Sequence, residues 1–232
     1  MKISEEIAEL LGAHAGDGTL YQTNWSLVWE LRGALEEKDY YINNICPLIH
    51  KIFGLTLLSK FRSGGAHGVW GIQTTQKPII KLFLDYGFAP GTKTYTVTVP
   101  SYIFSDRIKI KRAFARGLFD TDGCLRFDRI KKHKEYTYPR IEFGFASVNL
   151  RDSLQSLLSG LGFKNFTWDD QNNFRLCVAG KKMLEKWMTE IEPKNPKHLK
   201  KYYIWKKTGS CQPHATVAQP GTAQTPLVVQ DC

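Results

Sequence analysis

Ala115-Arg116-Gly117-Leu118-Phe119-Asp120-Thr121-Asp122-Gly123 is the stretch on which the fold turns. A looser copy stands 105 residues earlier: Leu10-Leu11-Gly12-Ala13-His14-Ala15-Gly16-Asp17-Gly18. In the first copy Ser4 suits a helix N-cap, and Glu5 and Glu6 fall in the first turn, where the helix dipole favours acids. Ile7, Leu10 and Leu11 come next at helical spacing. The helix is expected to stop at Gly18, with the glycine in the left-handed conformation. Asp17 then occupies the last turn, where the dipole opposes a carboxylate by roughly 0.3–1 kcal/mol at an exposed site. Asp122, before Gly123, repeats the unfavourable choice.

An isolated Asp-Gly is an ordinary turn signal. Two at matching places of two copies ask for another reason. Gly12, Ala13, Ala15 and Gly16 on one helix, with Ala115, Gly117 and Thr121 on the other, permit close approach. Packed side by side about a pseudo-twofold axis, the helices bring Asp17 and Asp122 together. Two such charges repel and raise a pKa, and a divalent cation reverses this. Mg²⁺ takes oxygen ligands and needs few of them from protein. The ligand spacing of an EF-hand is absent from both copies.

The sequence downstream of each copy also repeats. After Gly18, TLYQTNWSLVWELR alternates, with Leu27, Trp29 and Leu31 on one face and Ser26, Glu30 and Arg32 on the other. After Gly123, CLRFDRI leads through a basic turn to YPRIEFGFAS, where Ile141, Phe143 and Phe145 oppose Arg140 and Glu142. Amphipathic helices are expected near 42–55 and 150–163, strand pairs near 57–62 with 69–74 and near 165–168 with 173–178, and closing helices near 76–88 and 181–191. The fold class is therefore α+β: two α-β-β-α-β-β-α units with antiparallel sheets. The expected bounds are 1–90 and 107–207, joined by 91–106, with a flexible tail at 208–232 in which LVV at 227–229 is the single strand-like run.

The chain has 232 residues and a formal charge of +10; residues 1–207 carry +11, and Asp231 in the tail takes one away. Basic clusters at 107–116, 129–140 and 194–207 point to a polyanion rather than an ordinary solvated surface. No apolar run is long enough for a membrane span, and the acidic N-terminus is unlike a signal peptide, so an intracellular protein is expected. Five widely spaced cysteines, with no C-x-x-C, argue against structural zinc and a disulfide framework; Cys46 and Cys177 are expected as buried free thiols.

With both copies in view, the chain resembles the single-chain, two-motif LAGLIDADG homing endonucleases over about residues 1–205. The first copy departs from the motif at Ala15, where the earlier Asp would stand. The resemblance implies Mg²⁺, as two or three ions, held by Asp17 and Asp122 with the carbonyls of Gly16 and Thr121 as further ligands. It also implies a basic residue near the end of each repeat, for which Lys93 and Lys194 are the candidates, with Lys197 as a phosphate contact. The implied reaction is hydrolysis on both strands across the minor groove, leaving 5′ phosphates and 3′ overhangs.

The two sheets would form a saddle on double-stranded DNA, reading base edges in the major groove. The candidates are Ser26, Glu30, Arg32, Arg62, Gln73, Arg126, Asp128, Arg140, Glu142 and Arg175, while the loop at 129–140 grips phosphates. Divergent halves imply a long, non-palindromic target and a monomer. The alternatives are an intron RNA maturase, a non-cleaving DNA-binding regulator with the same fold, and an intein's nuclease domain, against which the lack of splicing residues at the flanks argues. A generic basic α+β domain leaves the repeat unexplained. His14 is expected to be packed or capped rather than catalytic.

Overall fold

The computed structural model describes residues 3–63, 68–130, 135–170 and 173–212. The chain begins with helix α1 (Glu5–Gly16), capped by the Ser4 hydroxyl, which accepts from the Ile7 amide at 3.2 Å. Strands β1 (Gly18–Gln22) and β2 (Leu27–Gly33) form a hairpin after it. A 3₁₀ turn (Leu35–Glu37) leads through α2 (Lys38–Tyr40) and a π-helical turn (Tyr41–Ile45) into α3 (Cys46–Phe53). Strands β3 (Lys60–Arg62) and β4 (Val69–Thr74) and helix α4 (Lys77–Asp85) come next.

After the short α5 (Ser101–Ser105), the pattern returns. Helix α6 (Ile108–Asp122) precedes β5 (Gly123–Arg129), β6 (Tyr136–Phe145), α7 (Val148–Gly160), β7 (Asn165–Asp170), β8 (Asn173–Ala179) and α8 (Lys181–Glu190). The sheets run β1-β2-β4-β3 and β5-β6-β8-β7, antiparallel throughout. Gly18 faces Leu31 in one sheet and Gly123 faces Phe143 in the other, so the registers match as well as the order. The α+β class and the two repeated units are as the sequence predicts.

The core is the space between each sheet and its helices. Trp29 stacks on Phe83 with ring centroids 5.1 Å apart, and Phe119 meets Phe143 and Trp187 at 5.8 and 5.2 Å. The alternation in β2 and β6 places Trp29, Leu31, Ile141, Phe143 and Phe145 inside, as period-two strands with one buried face must. Between the halves, α1 packs along α6. A Cβ on Gly12 would lie 2.1 Å from the Phe114 carbonyl oxygen, and one on Gly117 would lie 2.0 Å from that of Glu9. Each glycine therefore admits the backbone of the other helix, and the contact is reciprocal.

Four expectations change. Gly18 and Gly123 are not left-handed: Gly123 has φ −81°, and Gly18 is absent from the positive-φ residues. They are needed for space, since a Cβ would come 2.3 Å from His14 Nδ1 and 2.1 Å from Phe119 Cδ2. The helix expected near 42–55 starts earlier, at Lys38, and β3 is shorter than 57–62. Cys177 is buried, but Cys46 is only half-buried. A further helix, α9 (Pro196–Thr208), was not expected; Asn195 caps it, Pro196 opens it and Gly209 closes it with φ 77°. Residues 131–134 of the basic loop, and the tail from 213 with its LVV run, lie outside the described residues. No helix among the described residues is long and apolar enough to cross a membrane.

Candidate active site

Asp17 comes directly after the last residue of α1, and Asp122 ends α6. The glycine contact between the helices sets these ends side by side: a Cβ on Gly16 would lie 2.3 Å from Thr121 Oγ1 and 3.3 Å from Asp122 Cγ. Asp17 and Asp122 are both half-buried and lie against each other. Burial pushes the Asp17 carboxyl up, and the charges of Asp122 and Glu37 push it further. Burial also raises Asp122, against the pull of Lys93 and Lys197.

Lysines stand behind both helix ends. Lys93 Nζ donates to the carbonyls of His14 and Ala15 at 2.6 Å, and also to that of Gly16. Lys197 Nζ donates to the Thr121 carbonyl at 3.0 Å and pairs with Glu37 Oε1 at 2.8 Å. A cation at a helix C-terminus satisfies carbonyls that have no partner within the helix. The two carbonyls that the family resemblance offers as ligands, Gly16 and Thr121, thus hold ammonium groups here. Burial drops Lys93 to about 8, against the raising influence of Asp122 and Asp17.

Lys194 is elsewhere. Its Nζ bonds both carboxylate oxygens of Glu9 at 2.8 Å, two turns back along α1, where Arg116 Nε also meets Glu9 at 3.0 Å. The counterpart of Lys93 is Lys197, and the interval said so: Lys93 follows Asp17 by 76 residues, Lys197 follows Asp122 by 75 and Lys194 by 72.

Two site residues escaped sequence reasoning. Glu37 is buried, accepts from the Ala34 amide at 2.9 Å and Asn195 Nδ2 at 2.8 Å, and lends its charge to the aspartate pair. Asp120 is fully buried and accepts from the amides of Lys194 and Asn195 at 2.9 and 3.2 Å. It therefore anchors the start of α9, and with it Lys197; burial raises its carboxyl to about 7. Ala15 stands at the matching place in the first half and can hold nothing. His14 is buried, accepts from Trp29 Nε1 at 3.1 Å and packs on Phe83 and Phe88, as expected of a packed histidine. His198 packs in the same manner on Phe119, at 4.2 Å.

Among the described residues no three of His, Cys, Asp and Glu gather closely enough to enclose a metal. Two converging carboxylates are nevertheless a fit donor set for a hard divalent ion, which keeps most of its ligands as water or phosphate oxygen.

The outer faces of both sheets carry arginines organised around buried acids. Glu30 lies between Arg32 and Arg62 at 3.8 and 3.7 Å. Glu142 lies between Arg126 and Arg175 at 3.0 and 3.9 Å. Asp128 joins Arg126 and Arg140 at 3.5 and 2.6 Å. The side chains of Glu30 and Glu142 are each only 8% exposed, so they orient arginines rather than present acceptors of their own. Gln73 donates to the Tyr21 hydroxyl at 2.5 Å, and Ser26 closes the β1–β2 turn.

No family model matches the chain. A stretch of 87 residues, 38% of the chain, is 33% identical to the replicative DNA helicase DnaB of Rhodothermus marinus. A second stretch of 168 residues, 70% of the chain, is 26% identical to the uncharacterized protein MJ1054 of Methanocaldococcus jannaschii. The chain spans 9% and 17% of the length of these proteins. Among solved structures it is similar to the meganuclease I-AabMI bound to uncleaved DNA, with TM-score 0.58, 12% identity and 89% and 90% of the two chains covered. It is similar to I-DmoI in complex with DNA and Mn at TM-score 0.56 and 18% identity, with 82% and 97% covered. The N-terminal LAGLIDADG domain of WhiA matches at TM-score 0.50 and 14% identity, with 82% and 83% covered. The chain has the two-unit LAGLIDADG fold.

Proposed function

We propose, from the LAGLIDADG fold of this chain, that it is a monomeric, site-specific DNA endonuclease that hydrolyses both strands of a long, non-palindromic duplex with a divalent metal ion. One observation carries this reading: Asp17 and Asp122 meet at the seam between two repeated units, with Lys93 and Lys197 bonded to the helix ends beside them. A fold seeking stability alone would not keep two half-buried carboxylates in contact at helix ends that disfavour them.

Asp17 and Asp122 would hold Mg²⁺ once both are ionised, and the ion would supply Lewis-acid stabilisation of charge on the phosphate. Lys93 and Lys197, bonded to the helix ends that carry the aspartates, would bring positive charge to the same phosphates, where an ammonium stabilises developing oxyanion charge. Glu37 fixes Lys197, and Asp120 fixes the backbone that carries it. Arg32, Arg62, Arg126, Arg140 and Arg175 would contact guanines or phosphates along the two sheets.

The test is cleavage of a duplex recovered by the chain itself from a randomised pool. Wild type is expected to cut it in Mg²⁺, while Asp122→Asn binds without cutting. Equal cutting by both overturns the assignment. Tight binding without cutting by wild type selects the non-cleaving regulator, and preferential retention of structured intron RNA selects the maturase.

A further inference from the structure

The β1–β2 turn displays an indole to solvent. Trp25 is 93% exposed, the most exposed of the large apolar side chains in the described chain. The turn beneath it is rigid: the Thr23 hydroxyl accepts from the amides of Ser26 and Trp25 at 3.1 and 3.4 Å, and the Thr23 amide donates to the Ser26 carbonyl at 2.9 Å. Such a turn fixes the backbone that carries the indole before any partner arrives, which lowers the backbone entropy lost on binding.

Topology fixes where the turn lies. Strand β1 runs outward from Asp17 and β2 returns toward Glu37, so residues 23–26 form the outer end of the first sheet. In the second sheet β5 ends at Arg129 and β6 begins at Tyr136, and the sequence between them, 130–135, reads IKKHKE. Residues 19–31, in contrast, contain no Lys or Arg, although the chain carries +10. The two β-hairpins thus differ in sequence, one rich in lysine and the other carrying an uncharged aromatic.

We infer that Trp25 is a DNA contact, stacking on bases at the outer end of the half-site that the first unit covers; this rests on the nuclease reading. The partner chemistry is the exposed π-face of an unstacked base or terminal base step, which aromatic side chains engage without sequence readout. Eight residues of extended chain from Asp17 reach at most ~27 Å, which places the contact within about 8 base pairs of the cleavage centre.

The experiment measures binding of wild type, Trp25→Ala and Trp25→Phe to the pool-selected duplex by fluorescence anisotropy, in chelator, across a salt series. Trp25→Ala is expected to weaken binding by roughly ten- to a hundredfold. Trp25→Phe is expected to restore most of it. The slope of affinity against salt should stay unchanged, because no phosphate contact is lost. Abasic residues at the outer end of that half-site should erase the difference between wild type and Trp25→Ala. A Trp25→Ala chain that binds as tightly as wild type overturns this inference alone. A wild-type chain that retains no duplex overturns the nuclease reading and this inference with it.

Discussion

Lys197 holds the Thr121 carbonyl at the end of α6 as Lys93 holds the Gly16 carbonyl at the end of α1. The two ammonium groups are the pseudo-symmetric pair behind the aspartates, and Lys194 serves Glu9 instead. Substitution separates these roles. Lys197→Met is expected to reduce cleavage by roughly 10²–10³-fold with binding retained, the usual scale for one lost oxyanion-stabilising donor. Lys194→Met is expected to leave cleavage near wild type and to lower stability by about 1 kcal/mol, since Arg116 still faces Glu9. Single-turnover cleavage and urea denaturation on both variants check this.

The aspartate pair trades stability for metal. In chelator at neutral pH, Asp17→Asn is expected to be more stable than wild type by about 1 kcal/mol or more, because the amide spares the fold the cost of keeping a proton on a buried carboxyl that the unfolded chain gives up. Mg²⁺ is expected to raise the melting temperature of wild type and leave that of Asp17→Asn unchanged, since only a native-state ligand stabilises. Calorimetric melts with and without the ion read both effects.

The helix seam tolerates no side chain at its two glycines. Gly12→Ala or Gly117→Ala would drive a Cβ to within 2.1 or 2.0 Å of a carbonyl oxygen on the facing helix. Each is expected to destabilise the fold by about 3 kcal/mol or more and to spread the aspartates apart. Gly160→Ala, at a helix position with open space around it, is expected instead to stabilise by about 0.5 kcal/mol. Thermal melts of the three variants make the comparison.

His198 is held neutral by burial and by the charges of Lys197 and Lys201, well below its ordinary range. Its folded pKa is depressed, so the unfolded chain binds a proton near 6.5 that the folded chain refuses. Stability attributable to this group is present above about 6.5 and falls by up to about 1.4 kcal/mol per pH unit below it. His198→Phe is expected to be less stable than wild type at neutral pH, where it loses the contact with the Phe119 carbonyl at 3.2 Å. It is expected to gain on wild type steadily as the medium becomes acid. Urea denaturation of both chains on either side of about pH 6.5 reads the crossover.

The repeat was legible because it rests on local pattern. Helix ends marked by Asp-Gly, and strands with one apolar face, announce themselves within a few residues, and so do Asp17 and Asp122. Glu37 was not legible: its burial depends on Asn195, which is 158 residues away and sits on an unforeseen helix. That helix carries Lys200, Lys201, Lys206 and Lys207 among its aromatics, so its apolar period is faint, although Asn195-Pro196 is a proper helix start. The arginines of the sheets were visible as polar strand positions, but their dependence on Glu30 and Glu142 was not, since alternation says which face a residue is on and nothing about its ion pairs.

That dependence bears on how the saddle can change its preferences. Glu30 and Glu142 each have two arginine partners and little exposure of their own, so replacing one arginine halves the compensation of a largely dry anion. If the chain reads DNA as proposed, drift toward a new target is expected to exchange arginine and glutamate together, as charge-neutral blocks. Retargeting by one-letter steps meets a barrier in folding before it meets one in recognition, and libraries that vary each acid with its neighbours should outperform those that vary arginines alone.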